Sequence, residues 1–128
     1  STIGHEFNTS YGLLEWFLEQ KENCEGYQNA FFSGLTSLEL SKIIYKFVLP
    51  NLELSGIYNI GGPVIDKLAL LNIFKEIYKK KINITINKKF EIDRSLNSSA
   101  FYSKTDYVPS DWFSQIKEMH NSYMKDNI

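Results

Sequence analysis

The chain has 128 residues, of which 43% are apolar, 15% aromatic and 23% charged, with a formal net charge of −1. Such a composition suits one soluble globular domain and excludes a long disordered polypeptide. It gives no chain-wide attraction for nucleic acid or acidic lipid, so any site for a polyanion must be local.

No apolar run approaches the roughly 18 to 20 residues of a membrane span, and the first residues lack the basic and apolar regions of a signal peptide. Cys24 is the single cysteine, so no internal disulfide or Cys-based zinc site can form. These features lead to the expectation of a cytoplasmic protein. The Asn-x-Ser/Thr matches at Asn8, Asn83 and Asn97 fall among eleven asparagines and are attributed to chance.

In chain order, Tyr11 to Lys21 carries Leu13, Leu14, Trp16, Phe17 and Leu18 at the spacing of an amphipathic helix. Asn23 to Tyr27, with Gly26, reads as a turn, and Asn29 to Ser33 as a short extended run. Thr36 and Glu39 form a capping-box pattern before Leu40, Ile43, Ile44, Phe47 and Val48, and Pro50 ends that helix. Gly56 to Gly62 places Ile57, Tyr58 and Ile60 between glycines, which predicts a strand leading into a loop at Pro63. Asp66 caps a helix with Leu70, Leu71, Phe74, Ile77 and Tyr78 on one face, ending at the lysines 79 to 81. Ile82, Ile84 and Ile86 alternate with polar residues as in a strand, and Phe90 to Ile92 predicts another short extended piece. A brief helix opens at Asn97 and a last one near Asp111. Four or five helices and three or four short strands make an α/β chain with a thin sheet.

The catalytic inventory is sparse. His5 lies beside Glu6, where it is either a ligand contact or a loop residue, and His120 reads as a helix-surface residue. Their separation makes no metal site. No Gly-x-Ser-x-Gly elbow and no Gly-x-Gly-x-x-Gly or Walker pattern is present. Arg94 is the only arginine among fourteen basic residues. Its planar fork suits bidentate binding of phosphate or carboxylate; the competing reading is an ion pair with Asp93 or Glu91. The lysines at 79 to 81 and 88 to 89 read as solvated faces, and nucleic acid is not expected as a partner.

Taken together, Ser-Thr-Ile-Gly-His-Glu at 1 to 6, Leu-Leu-Glu-Trp-Phe-Leu at 13 to 18, Phe-Ser-Gly-Leu-Thr-Ser-Leu-Glu-Leu-Ser-Lys-Ile-Ile at 32 to 44, Gly-Ile-Tyr-Asn-Ile-Gly-Gly at 56 to 62, Asp-Arg-Ser-Leu-Asn-Ser-Ser at 93 to 99 and Tyr-Val-Pro-Ser-Asp-Trp at 107 to 112 carry a resemblance. Their order resembles the C-terminal part of an extended short-chain dehydrogenase/reductase. The branch most similar is the dTDP-4-dehydrorhamnose reductase group, which reduces a 4-keto nucleotide sugar with NAD(P)H. The resemblance implies a single substrate-binding C-terminal domain over residues 1 to 128, with the Rossmann core largely missing. The family's glycine fingerprint and Tyr-x-x-x-Lys pair are not in this sequence, and no tyrosine here has a lysine four residues later.

By position, the resemblance makes His5, Glu6, Asn29, Arg94 and Ser95 substrate contacts and places Thr2 and Ile3 beside the cofactor. It assigns no catalytic residue and no metal to the chain. NADP or NAD would be bound mainly by a missing N-terminal Rossmann domain, which becomes an expected partner together with a nucleotide-diphosphate sugar. Gly56 to Gly62 would be the last strand of the large sheet, and Asn97 would cap the helix that follows. A homo-oligomer is expected to cover the open edge of Gly56 to Ile60. The alternatives are a related epimerase or dehydratase, or a non-catalytic α/β interaction module.

Overall fold

The computed structural model of the chain describes residues 1–127. Its centre is a pair of long parallel strands, β2 (Asn23–Phe32) and β5 (Asn83–Arg94), joined on the far side of β2 by the short antiparallel β4 (Ile65–Asp66). A separate parallel pair unites β1 (Thr2–Ile3) with β3 (Leu35–Thr36). The α/β class expected from the sequence is therefore the observed one, with its strands split between two small sheets.

Three local expectations are corrected. Asn23 to Tyr27 is the start of β2 and not a turn. Gly26 is there because α3 (Lys67–Ile77) crosses closely: a Cβ at this position would run into Leu68 and Ile84. Ile82 to Ile86 and Phe90 to Ile92 are not two pieces, since pairing with β2 carries one strand through both. Asn23–Tyr27 pairs with Asn83–Asn87, and Asn29–Phe32 with Glu91–Arg94. Between these two stretches Gln28 faces Lys88 to Phe90 across a bulge that hides the strand's continuity from a period-two reading.

The third correction concerns Gly56 to Gly62, which forms no ladder among the described residues. Extended backbone becomes a strand only beside a partner, and here the segment's bonds go elsewhere. Gly62 donates its N–H to the Ser33 carbonyl at 2.8 Å, and the Gly61 carbonyl accepts from the Tyr102 hydroxyl. The left-handed Gly56, at φ 92°, turns the chain into this segment.

Helix starts follow the capping residues. Asp66 accepts the Ala69 N–H at 2.8 Å to open α3, and Asp111 accepts that of Ser114 at 2.9 Å to open α5 (Trp112–Asp126). Thr36 accepts the Glu39 N–H at 3.1 Å at the head of α2 (Ser37–Ile43), which runs into a π-helical turn at Ile44–Val48. The other half of the expected capping box is used differently. The buried Glu39 carboxylate accepts from the Tyr107 hydroxyl at 2.8 Å and the Ser110 hydroxyl at 3.2 Å. Asn97 acts one residue ahead of the N-cap Ser98, accepting the Ser99 N–H at 3.0 Å before α4 (Ser99–Thr105).

The larger core joins α1 (Leu13–Glu19), α3 and α5 beneath the long strands through Leu14, Phe17, Leu70, Phe74, Trp112 and Ile116. Each such side chain contributes about 1.5–3 kcal/mol on burial. Phe17 and Phe74 meet with ring centres 5.8 Å apart. A second cluster of Leu35, Ile43, Phe101 and Tyr107 supports α2 and α4. Lys80, just past the end of α3, donates to the Leu18 carbonyl at 2.7 Å and ties the ends of α1 and α3 together.

Candidate functional site

A cleft of about 610 Å3 opens where the C-terminal ends of β2 and β5 meet β1 and the first residues of α1 and α3. Strand periodicity places Phe90, Ile92 and Arg94 of β5 on it, and Phe31 and Phe32 of β2 lie alongside. Tyr11, Gly12, Leu13 and Trp16 supply the α1 wall, and Lys67 enters from the first turn of α3. Thr2 and Ile3 form part of its edge; Thr2 is exposed, whereas Ile3 is 5% exposed and belongs mainly to the core.

Arg94 is exposed, and among the described residues it forms no ion pair with Asp93, Glu91 or any other carboxylate. Asp93 is occupied locally: its carboxylate accepts the Ser95 N–H at 2.8 Å. The Ser95 hydroxyl, and then its N–H, hold that carboxyl below its ordinary range. Lys67 likewise has no acidic partner among the described residues. The cleft therefore combines two cations with aromatic walls, an arrangement suited to an anion attached to a planar ring.

His5 and Glu6 do not line this cleft, although Glu6 bonds to the backbone of its α1 wall. His5 Nδ1 is 2.8 Å from the Glu15 carboxylate, its Nε2 is 2.7 Å from the Tyr78 hydroxyl, and its ring stacks on Tyr123 at 3.7 Å. Burial, and then the Glu15 charge, push the Tyr78 hydroxyl above its ordinary pKa. His120 packs edge-on against the same Tyr78 ring, 4.6 Å away. Glu6 accepts from the Thr9 hydroxyl and from the N–H groups of Tyr11 and Gly12, which fixes the entry to α1.

The other expected contacts separate as well. Asn29 donates to the Lys88 carbonyl at 3.1 Å and lines a shallow depression with Phe31, Glu91, Ile92 and Asp93. Ser95 sits in the turn after Arg94, between two cleft residues but not on the cleft. Of the seven residues marked in the sequence, the cleft collects Thr2, Ile3 and Arg94. Lys67, which the sequence analysis does not single out, carries a readable signal: a cation in the first turn of a helix opposes the helix dipole. Tyr11, Trp16, Phe31 and Phe90 look like core candidates by type, and only their exposure, 37% or more in each case, sets them apart.

Among the described residues no cluster of His, Cys, Asp and Glu is placed to hold a metal ion, and no helix is long and apolar enough to cross a membrane.

The fold of the chain matches the C-terminal portion of the fold of solved dTDP-4-dehydrorhamnose reductases. The chain is similar to the structure of dTDP-4-dehydrorhamnose reductase from Bacillus anthracis in complex with NADP, with a TM-score of 0.73 and 9% identity over 90% of this chain and 44% of that one. A dTDP-4-dehydrorhamnose reductase from Clostridium acetobutylicum gives a TM-score of 0.73 at 8% identity, covering 92% of this chain and 46% of its own. The dTDP-glucose 4,6-dehydratase of Bacillus anthracis, in complex with NAD, gives 0.64 at 20% identity over 98% of this chain and 42% of that one. The chain thus spans less than half the length of each of these structures. No protein-family model matches the sequence, and no curated protein matches it.

Proposed function

We propose that residues 1 to 128 form the substrate-binding part of an NAD(P)-dependent oxidoreductase of nucleotide sugars that reduces a 4-keto sugar. The observation that carries this reading is the cleft in which Arg94 and Lys67, without acidic partners among the described residues, lie among exposed aromatic side chains. A guanidinium binds a diphosphate in a bidentate manner, and aromatic faces accept a nucleobase. The chain's part is to bind and orient the substrate. The fold it shares with reductases of dTDP-linked sugars supports this assignment. The alternative, a dehydratase, is favoured by the 20% identity to the dTDP-glucose 4,6-dehydratase; turnover assays with 4-keto and 4-hydroxy dTDP-sugars separate the two.

In this reading the cofactor is NADP or NAD, held mainly by a Rossmann portion outside these residues. The sequence contains no glycine fingerprint and no Tyr-x-x-x-Lys pair. These residues therefore do not fit a dinucleotide by themselves, and no proton or hydride step is routed through them. Thr2 and Ile3, on the cleft edge, are the proposed points of contact with the nicotinamide side.

The test is calorimetric titration with dTDP- and UDP-sugars, with Arg94→Ala alongside. The substitution should weaken binding by about 1.5–3 kcal/mol, the range for hydrogen bonds to charged groups. Undiminished binding would remove Arg94 from the site, and absence of binding by the unmodified protein would overturn the nucleotide-sugar reading.

A further inference from the structure

Beside the main cleft lies a smaller chamber of about 180 Å3, walled by Glu25, Tyr27 and Leu71, and the two share Leu13, Trp16 and Lys67. The smaller has less than a third of the volume of the larger. Trp16 and Lys67 stand where the two meet.

Lys67 is placed there against its local electrostatic interest. It is the first residue of α3, where the helix dipole disfavours a cation. It is half-buried and has no carboxylate within ion-pair distance among the described residues. Asp66 next to it gives an oxygen to the Ala69 N–H, and Glu25 accepts from the Asn87 amide at 3.3 Å. An ammonium at a cleft with no protein counter-ion within reach is stabilised by an anionic ligand.

We infer that Lys67 is a second phosphate-binding residue, set at the junction so that a diphosphate bridging the two chambers touches Lys67 on one side and Arg94 on the other. This assignment rests on the nucleotide-sugar reading and names the residue that completes its anion site.

The experiment is a chemical-shift titration of the protein with dTDP and with thymidine, using Lys67→Met, which keeps the aliphatic length, and Lys67→Arg, which keeps the charge. Lys67→Met should weaken dTDP binding about ten- to a hundred-fold and leave thymidine binding unchanged, while Lys67→Arg should keep most of the dTDP affinity. If the unmodified protein binds dTDP and Lys67→Met binds it equally well, Lys67 is no phosphate ligand and the nucleotide-sugar reading survives. An equal loss for dTDP and thymidine would mean that Lys67 acts through packing, which overturns the inference. If the unmodified protein binds neither dTDP nor dTDP-sugars, reading and inference fall together.

Discussion

The loop bearing His5 and Glu6 and the strand end bearing Arg94 are both polar, and both attract attention by residue type. Their hydrogen-bonding groups have opposite fates. Each nitrogen of His5 is engaged, by Glu15 and by Tyr78, and Glu6 is filled by Thr9, Tyr11 and Gly12. Arg94, with five donors, meets no carboxylate among the described residues and faces an open cleft. A polar side chain is available to a ligand only when the fold leaves its partners out. The loop thus fastens α1, the end of α3 and α5 to one another, and the strand end is left without a carboxylate partner among the described residues.

The sharpest way to break this contrast is to exchange the readouts. His5→Ala removes both hydrogen bonds and the stacked ring, leaving the Tyr78 hydroxyl, already desolvated, without its partner. It should cost about 2–3 kcal/mol of stability in urea unfolding, with dTDP affinity unchanged where the protein remains folded. Arg94→Ala should do the reverse, changing stability by less than about 0.5 kcal/mol, as exposed substitutions usually do, while binding falls. A stable His5→Ala variant that no longer binds dTDP would make the histidine a ligand contact and collapse the distinction.

Why the sequence conveyed some of this and not the rest can be traced to individual residues. The caps Thr36, Asp66 and Asp111 act within three residues, so their helices were readable locally. Asp111 and the stripe behind it gave α5 the same way. The bulge opposite Gln28 broke the alternation of β5, and the close pass of Leu68 over Gly26 depends on a residue 42 positions away, so neither shows in a local window. Gly56 to Gly62 has strand-like composition but finds no ladder partner among the described residues, and composition cannot report a missing neighbour. The cleft divides similarly. Arg94 stood out because the chain has no other arginine, whereas Lys67 is one lysine of thirteen and becomes distinctive only through its helix position and its lack of a partner.

A smaller effect sharpens the cleft side. Asp66→Ala removes the cap of α3 and should cost about 1 kcal/mol. It also deletes a negative charge adjacent to Lys67, so anion affinity should rise even as stability falls. Stability is read by thermal unfolding and affinity by calorimetry with dTDP. Weaker binding in proportion to lost stability would mean that the helix start, and not the charge of Lys67, governs the ligand.

The smallest effect tests the loop side through pH. The Thr9 hydroxyl foremost, with the N–H groups of Gly12 and Tyr11, holds the Glu6 carboxyl below its ordinary value of 4.5, against the opposing pull of burial. A carboxyl whose folded pKa is depressed lends stability that is complete above the unfolded value and disappears as pH falls through the folded one. Asp93 and Asp111 shift in the same direction, so acid sensitivity of the whole protein does not isolate Glu6. The difference between the unmodified protein and Glu6→Gln does. That difference should be constant above about pH 5 and shrink below it, because the protonated carboxyl and the amide then hold the loop about equally well. A gap that stays level into acid would show that the carboxylate charge contributes nothing to the entry of α1, which would leave that charge available to a ligand.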